Sequence, residues 1–489
     1  MNEQKLISAL ASINGWWNGA EVSNRIKKAN TRRKVFYNLF SDCLEDEKNI
    51  TCISGPRQVG KTTLMGQLID AQIKENKIDP KRIIYLPLDN EFLLLNSDNI
   101  LIDSINVYLE LIIGESLPNL KKKVYIYLDE VQSLDKWERQ LKSYIDTYPN
   151  LKFIISGSSQ TKLHNDALES LVGRIQFRVV LPFKFREFLE FTMRDEFPSE
   201  LKFATANLRD SLKKSIAQNN PRDLYKKISS LNLSLGDKVA QIKKQLEIYL
   251  IKGGYPGALE FGENYDKALE RIKTDLELTV FKDIHKIFKT RNSEDLMTLL
   301  TLVASSSGQK VNYSRLASSI GIDRRVVADY LSYTKLLYMT SESPFYQISK
   351  YRQAEKMNKI YLVDTGQRNA LVGKMDSELM NESEAGLIIQ TAVYNHASRL
   401  KFYLTDHSEH ETYYWENRGK EVDVVIDLPL FVLPIESKSK NTNGAESSIK
   451  KFIEENKKKT SWGMVINNDG LRLNENVLYI PLWIFLIMC

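Results

Sequence analysis

A chain of 489 residues is too long for one hydrophobic core, and a prior of about one domain per 150 residues suggests roughly three. Hydrophobic residues at 43% and charged residues at 27% exclude a disordered chain, and 68 basic against 62 acidic residues give +6, which permits nucleic-acid binding without arguing for it. Cys43, Cys52 and Cys489 form neither a paired framework nor a metal spacing, and Met1 to Leu6 lack the basic head and apolar core of a signal peptide, so a reducing cytoplasm is the expected compartment.

Residues 1–45 read as an N-terminal helical segment with Trp16-Trp17 and a basic run, Arg25, Lys27, Lys28, Arg32, Arg33 and Lys34. A solvated helix face is the favoured reading of that run, with a phosphate-binding arm as the alternative. Residues 46–190 alternate strands and helices. Short apolar runs at 50–54, 82–88, 124–128, 153–156 and 176–180 predict a parallel sheet with helices on both faces.

The first of these strands runs into Gly55-Pro56-Arg57-Gln58-Val59-Gly60-Lys61-Thr62, a complete G-x-x-x-x-G-K-[ST] phosphate loop, and Thr63 continues into helix periodicity. Glycines let backbone amides curl around phosphates at a positive helix end, Lys61 reaches the β and γ phosphates, and the Thr62 hydroxyl can ligand Mg²⁺. Roughly 65 residues on, the apolar strand Val124 to Leu128 ends in Asp129-Glu130. Asp129 is expected to hold Mg²⁺ through water, and Glu130 to orient or deprotonate the attacking water. Ser156-Gly157-Ser158-Ser159 ends the next strand, where Ser158 is a candidate γ-phosphate sensor or a plain strand-exit turn. Arg174, after Gly173, is a candidate for stabilising transition-state charge in cis or from a neighbouring subunit, and Arg57 competes for that role.

Residues 191–290 are Lys/Glu/Leu-rich helical stretches broken by Gly253-Gly254-Tyr255-Pro256-Gly257, a helical lid region. Residues 291–345 carry three helix patterns with a turn at Ile320-Gly321-Ile322, a helix-turn-helix or winged-helix module. Arg324 and Arg325 would open the helix that enters a major groove, but the same fold serves equally as an internal packing module. A connector at 346–380 precedes a last α/β segment at 381–489. Its final apolar stretch, Val477 to Cys489, contains Pro481 and is well short of the about 20 residues of a spanning helix, so a buried terminal strand is expected and no membrane partner.

In that last segment Glu421-Val422-Asp423-Val424-Val425-Ile426 and Leu433-Pro434-Ile435-Glu436-Ser437-Lys438 place Asp423 and Glu436-x-Lys438 at facing strand ends, the PD-(D/E)xK nuclease pattern. Two carboxylates, Asp423 and Glu436, would fix one or two divalent ions, and Lys438 would position the nucleophilic water or stabilise the phosphate. His407-Ser408-Glu409-His410-Glu411 reads as a solvated loop, not a metal site. Tyr413-Tyr414-Trp415 reads as core strand and possible stacking surface.

Several of these motifs together, namely Gly55 to Thr63, Leu128-Asp129-Glu130-Val131-Gln132 followed by Trp137, the Ser156 to Ser159 turn, Gly173-Arg174, Pro182-Phe183, Phe185-Arg186-Glu187-Phe188-Leu189 and Gly253-Gly254-Tyr255-Pro256, resemble the prokaryotic AAA+ ATPases related to the archaeal STAND-like group. The resemblance implies an α/β fold: a P-loop NTPase (AAA+) parallel sheet core, a helical lid, a winged-helix module and a C-terminal restriction-endonuclease-like α/β domain. It also implies that Gly173-Arg174 is the arginine-finger region and that the Gly-Tyr-Pro turn is a lid element near the nucleotide. One departure is visible: where such domains often carry a glutamate after Gly386, this chain has Gln390. A neutral amide supplies no charge to a second metal.

The expected protein is an ATPase using ATP and Mg²⁺ whose nucleotide state controls a C-terminal DNA endonuclease, with Mn²⁺ as an alternative metal at the nuclease site. RNA remains open as a substrate beside DNA, and homo-oligomerisation is open too. The alternative is a nucleotide-dependent switch or DNA-binding regulator with an inactive nuclease-like domain.

Overall fold

A computed structural model describes residues 3–24, 31–45, 50–94, 99–158, 171, 173–288, 290, 292–347, 356–374, 381–405, 412–438, 443–468 and 470–489. Arg25, Lys27, Lys28, Ser159 and the His407 to Glu411 run, singled out above, lie outside the described residues. The chain divides into two compact units, one of residues 1–181 with 336–338, the other of residues 182–335 with 339–489.

The first unit is built on a five-stranded parallel sheet. Strands β1 (Ile50–Ser54), β2 (Ile83–Pro87), β3 (Val124–Asp129), β4 (Leu151–Gly157) and β5 (Ile175–Val179) lie in the order β2-β3-β4-β1-β5. Four of the five are buried along their length except at Pro87, as expected for parallel strands covered on both faces. The core joins strand residues Ile53, Ile126 and Ile154 to Leu64, Met65 and Leu68 of the helix Lys61–Lys74, and to Trp137 and Leu141 of the helix Trp137–Thr147. The N-terminal segment is part of this body. Trp16 and Trp17 both donate their indole N–H to the Ile83 carbonyl, at 3.0 and 2.8 Å. Arg32 pairs with Glu75 and Arg33 donates to the Leu181 carbonyl at 2.9 Å, so these two members of the basic run brace the unit.

In the second unit, helices Ala204–Ala217, Arg222–Leu235, Lys238–Lys252 and Tyr265–Leu278 occupy the expected lid region. Helices Ser293–Ser305, Tyr313–Ile320 and Arg324–Leu336 follow, and Gly321 ends the second of them in the left-handed region at φ 83°. Strands β6 (Thr340–Ser343) and β7 (Lys359–Leu362) then pair antiparallel. Residues 346–380, expected as a connector, therefore hold β7 and the helix Thr365–Val372, whose cap Asp364 accepts from the Gly366 and Gln367 amides. The last segment is a six-stranded sheet, order β12-β13-β11-β10-β9-β8, with β8 (Tyr413–Asn417), β9 (Lys420–Asp427), β10 (Val432–Ser437), β11 (Gly463–Asn467), β12 (Arg472–Asn474) and β13 (Val477–Pro481). The helix Glu382–Leu404 precedes it, and Asn443–Glu455 packs Ile449 and Phe452 with Trp415, Val422, Val465 and Tyr479. The final apolar stretch is not one strand. Pro481 ends β13 and caps the buried helix Leu482–Met488, because proline fits a helix start that needs no N–H.

The Gly-Tyr-Pro turn belongs to this second unit, where its described contacts are those of an internal brace. The Phe183 amide donates to the Gly254 carbonyl at 2.7 Å, the Gly254 amide to Asp364 Oδ2 at 2.8 Å, and Gln367 Nε2 to the Tyr255 hydroxyl at 2.7 Å. A methyl on Gly254 would meet the Phe183 carbonyl oxygen at 2.2 Å, whereas one on Gly257 would meet nothing within 4 Å. Gly254→Ala is therefore expected to cost about 1–3 kcal/mol of stability, read as a lowered melting transition, while Gly257→Ala leaves it unmoved. Equal effects of the two would refute the close backbone approach.

His396 makes a second brace. Its Nδ1 faces the Ala392 carbonyl at 2.9 Å and its Nε2 accepts from the Phe185 amide at 3.2 Å, which fixes a neutral ring with the proton on Nδ1. Burial first, then the Arg399 cation, pushes its pKa down to about 3. The unfolded chain then takes up a proton below the ordinary value near 6.5 that the folded chain refuses. Stability from this group is full above that value and is lost as pH falls towards 3, by up to about 1.4 kcal/mol per pH unit. Thermal unfolding between pH 7 and 4.5 should fall more steeply for the wild type than for His396→Gln.

Candidate functional site

Parallel pairing sets Ser54 beside Gly157 and Val179, and Leu128 beside Ile155, so the C-terminal ends of β1, β3 and β4 share one edge of the sheet. The phosphate loop leaves β1 on that edge. Gly55 lies so close to β5 that a methyl on it would meet the Val180 carbonyl oxygen at 2.1 Å, and Gln58 and Gly60 take φ of 60° and 95°. These left-handed turns tighten the loop ahead of the helix that starts at Lys61, a backbone shape in which successive amides can face a phosphate. Pro56, Arg57 and Val59 complete the loop, and Thr63 lies in the first turn of that helix. Lys61 is 4% exposed and donates to the Gly55 and Pro56 carbonyls, both at 3.0 Å, so its ammonium lies over the cradle where phosphate oxygens would compete for it.

Asp129 is the hub of the opposite wall. Its Oδ2 accepts from the Thr62 hydroxyl at 2.7 Å and from the Tyr85 hydroxyl at 2.8 Å, and its Oδ1 from the Ser156 hydroxyl. Burial, then the Asp129 charge, pushes the Tyr85 phenol up, so it stays a donor. Among the described residues no lysine or arginine pairs with Asp129, and a carboxylate 4% exposed is met only by hydroxyls. That donor set fits a hard divalent cation held between Thr62 and Asp129. Glu130 follows in the left-handed region at φ 54°, ψ 48°, its amide donating to Ser156 Oγ at 3.1 Å. Its carboxylate accepts from Gln132 Nε2, which also donates to Ser158 Oγ at 3.1 Å.

Thr62, Asp129, Glu130 and Ser158 thus come together, as the sequence predicts. Tyr85, Ser156 and Gln132 join them without having been singled out for these contacts. Arg174 does not join them. Its carbonyl accepts from the Ile50 amide at 3.1 Å, at the N-terminal end of β1, and its side chain is ion-paired with Asp146 at 2.8 Å. A five-residue strand, roughly 16 Å long, separates it from the phosphate loop, so the cis role is not met.

The second candidate site lies in the second unit. Antiparallel β9 and β10 pair Val424 with Ile435, which places Asp423 and Glu436 at the next facing positions. The Asp423 amide donates to Glu436 Oε2 at 3.0 Å, and the Ser437 amide and hydroxyl donate to Asp423 Oδ2 at 3.0 and 2.7 Å. Lys438 Nζ lies 2.9 Å from Glu436 Oε1. Gln390, from the helix Glu382–Leu404, donates its amide to Asp423 Oδ1. All three nuclease-pattern residues therefore converge, together with the departing glutamine.

Lys359 is the residue that sequence reasoning missed. It opens β7, is 1% exposed, pairs with Glu421 and stands 3.5 Å from Asp423 Oδ1. Burial pulls its pKa down, but Asp423 and Glu421 outweigh burial and hold it above the usual lysine value. Burial, then the neighbouring Asp423, pushes Glu436 up to about 8 despite Lys438. Among the described residues no three His, Cys, Asp or Glu side chains form a metal-holding group. Asp423 and Glu436 offer two carboxylates, enough for one divalent ion with water completing its shell.

Residues 47–189 match a family model described as an AAA domain, and residues 243–378 and 385–485 match two models each described as a domain of unknown function. An uncharacterised protein of Methanocaldococcus jannaschii is 24% identical over 386 residues, 77% of this chain and 72% of its own length. Another from Haemophilus influenzae is 20% identical over 352 residues, 71% and 75% of the two chains. Among solved structures, the Walker-type ATPase of Pyrococcus abyssi aligns over 72% of this chain and 99% of its own, with 16% identity and a TM-score of 0.44. Residues 47–189 form an AAA-type P-loop ATPase domain, and a separate α/β domain rich in strands lies C-terminal to it. No helix of the described residues is long and apolar enough to cross a membrane.

Lys61→Ala is expected to weaken binding of a fluorescent ATP analogue about 10–100-fold, the worth of one charge-assisted phosphate contact. Asp129→Asn should leave metal-free nucleotide binding within about threefold but abolish the gain in affinity on adding Mg²⁺. An unchanged Mg²⁺ gain in Asp129→Asn would remove Asp129 from the metal site.

Proposed function

We propose that the chain hydrolyses ATP and that its nucleotide state controls a C-terminal Mg²⁺-dependent nuclease acting on DNA. Hydrolysis follows from the wall opposite the phosphate loop. Lys61 and the loop amides hold the phosphates, Thr62 and Asp129 would hold Mg²⁺, which neutralises phosphate charge, and Glu130 takes the proton from the attacking water. The new bond joins that water oxygen to the γ phosphorus, the bond to the β–γ bridging oxygen breaks, and ADP leaves with its electron pair. Ser158 would read the γ-phosphate. Arg174, at the far end of β1, reaches a nucleotide only from another protomer, which favours a homo-oligomer.

The observation that carries the nuclease is the meeting of Asp423, Glu436 and Lys438 across β9 and β10. Asp423 and Glu436 would hold one divalent ion, and Lys438 would steady the attacking water or the phosphate that gains charge. Exposed Arg324 and Arg325, at the start of the helix Arg324–Leu336, supply groove contacts that favour DNA as the partner.

One observation favours a second reading, a nucleotide-dependent DNA-binding switch that does not cut. All four carboxylate oxygens of Asp423 and Glu436 already accept from protein donors, and Lys359 contributes a buried cation. Cleavage of supercoiled plasmid with Mg²⁺ or Mn²⁺ separates the two. The nuclease reading expects nicking by the wild type, loss of at least about 100-fold in Asp423→Ala, and altered ATP dependence in Lys61→Ala. Cleavage that persists in Asp423→Ala removes the nuclease assignment, and cleavage indifferent to Lys61→Ala removes the coupling. DNA binding with no cleavage in any of the three supports the switch.

A further inference from the structure

Three residues beyond the strand end, one amide group links the two parts of the ATP site expected to act on the γ-phosphate. Gln132 lies in the short turn Val131–Ser133 that follows Glu130. Its Nε2 donates to Glu130 Oε2 and, at 3.1 Å, to Ser158 Oγ. A carboxylate accepts only, so the nitrogen and not the oxygen of the Gln132 amide must face Glu130. That nitrogen carries two hydrogens, and the two contacts use both.

The consequence for each partner follows from its inventory of donors and acceptors. Ser158 accepts from Gln132, which leaves its own hydroxyl hydrogen to be donated elsewhere. Glu130 accepts from Gln132 at one oxygen, which leaves the other to receive a proton from water. Glu130 sits in the left-handed region, sparsely populated for a residue with a side chain, and its backbone is held by Ser156. Backbone contacts do not hold its side chain; the Gln132 amide restrains the carboxylate at the end of it.

We infer that Gln132 is a positioning residue for ATP hydrolysis, holding the Glu130 carboxylate for proton transfer and turning the Ser158 hydroxyl towards the γ-phosphate with the same amide group. Gln132 acts through these two residues and does not itself touch the nucleotide. The inference rests on the reading of Glu130 as the group that takes the proton.

The test uses the full chain and steady-state phosphate release. Gln132→Met keeps the length of the side chain and removes both donors. It is expected to lower kcat about 10–100-fold while the Kd for ATP stays within about twofold. In a Glu130→Gln background, where no carboxylate remains to be held for proton transfer, the same substitution should cost clearly less, about two- to fivefold, through Ser158 alone. A role in folding alone would lower kcat equally in both backgrounds.

Equal losses from Gln132→Met in both backgrounds, or a loss of ATP binding that matches the loss of kcat, would each overturn the inference. An unchanged kcat in Glu130→Gln overturns the reading of Glu130 itself, and the inference falls with it. A fall in kcat for Glu130→Gln with none for Gln132→Met leaves that reading standing and removes Gln132 alone.

Discussion

Everything at the nucleotide site depends on the parallel pairing of β1 and β3 with β4 between them. Because these strands run the same way, the loop after β1, the carboxylates after β3 and the hydroxyls after β4 all emerge at one edge. The Thr62–Asp129 hydrogen bond closes that edge across the sheet. It joins residues far apart in sequence through two short strands whose register leaves no slack, since a shift of one residue would turn Asp129 to the other face. The same parallel direction carries Arg174, at the opposite end of β1, away from the phosphates.

Asp129 shows how the site's charge is managed. Its carboxylate is buried, yet among the described residues its partners are three hydroxyls and no cation. Neutral donors satisfy the oxygens without cancelling the charge, which keeps the group receptive to a metal ion. The Asp423 and Glu436 pair takes the other route. There Lys359, Lys438 and Gln390 crowd the carboxylates, and Glu436 is pushed towards its protonated form by burial and by Asp423. The two sites hold carboxylates at similar depth, but the second has most of its negative charge answered from within the protein.

Much of this was legible in the sequence, and the boundary of legibility has physical causes. The five strands of the first unit fell within a residue or two of their expected places, because buried parallel strands are short apolar runs bounded by turns. The phosphate loop and Asp129-Glu130 were readable because each lies at the exit of one strand, and the Asp423, Glu436, Lys438 pattern because its residues lie on or just past two consecutive strands. Tyr85 and Lys359 were not. Tyr85 looks like one more core aromatic until the sheet order puts β2 beside β3, and Lys359 looks like a solvated flank of an apolar strand. Both owe their role to pairing between distant segments, which no local pattern encodes. The stretch Val477 to Cys489 was misjudged for a different reason. When every residue is buried, strand and helix share the same run of apolar side chains, and only Pro481 marks the change.

Lys359 also bears on what counts as a self-sufficient piece of this chain. The sheet holding Asp423 and Glu436 begins at β8, and the helix that precedes it begins at Glu382, so a cut near residue 381 would keep every strand of that sheet. It would discard β7. The excised piece would hold Glu421, Asp423 and Glu436 with Lys438 as the one lysine at the centre among the described residues, having lost the buried ammonium that answers two of them. Its appetite for metal would then be a property of the cut, stronger than that of the intact chain, because a divalent ion would fill the place of a side chain supplied from upstream.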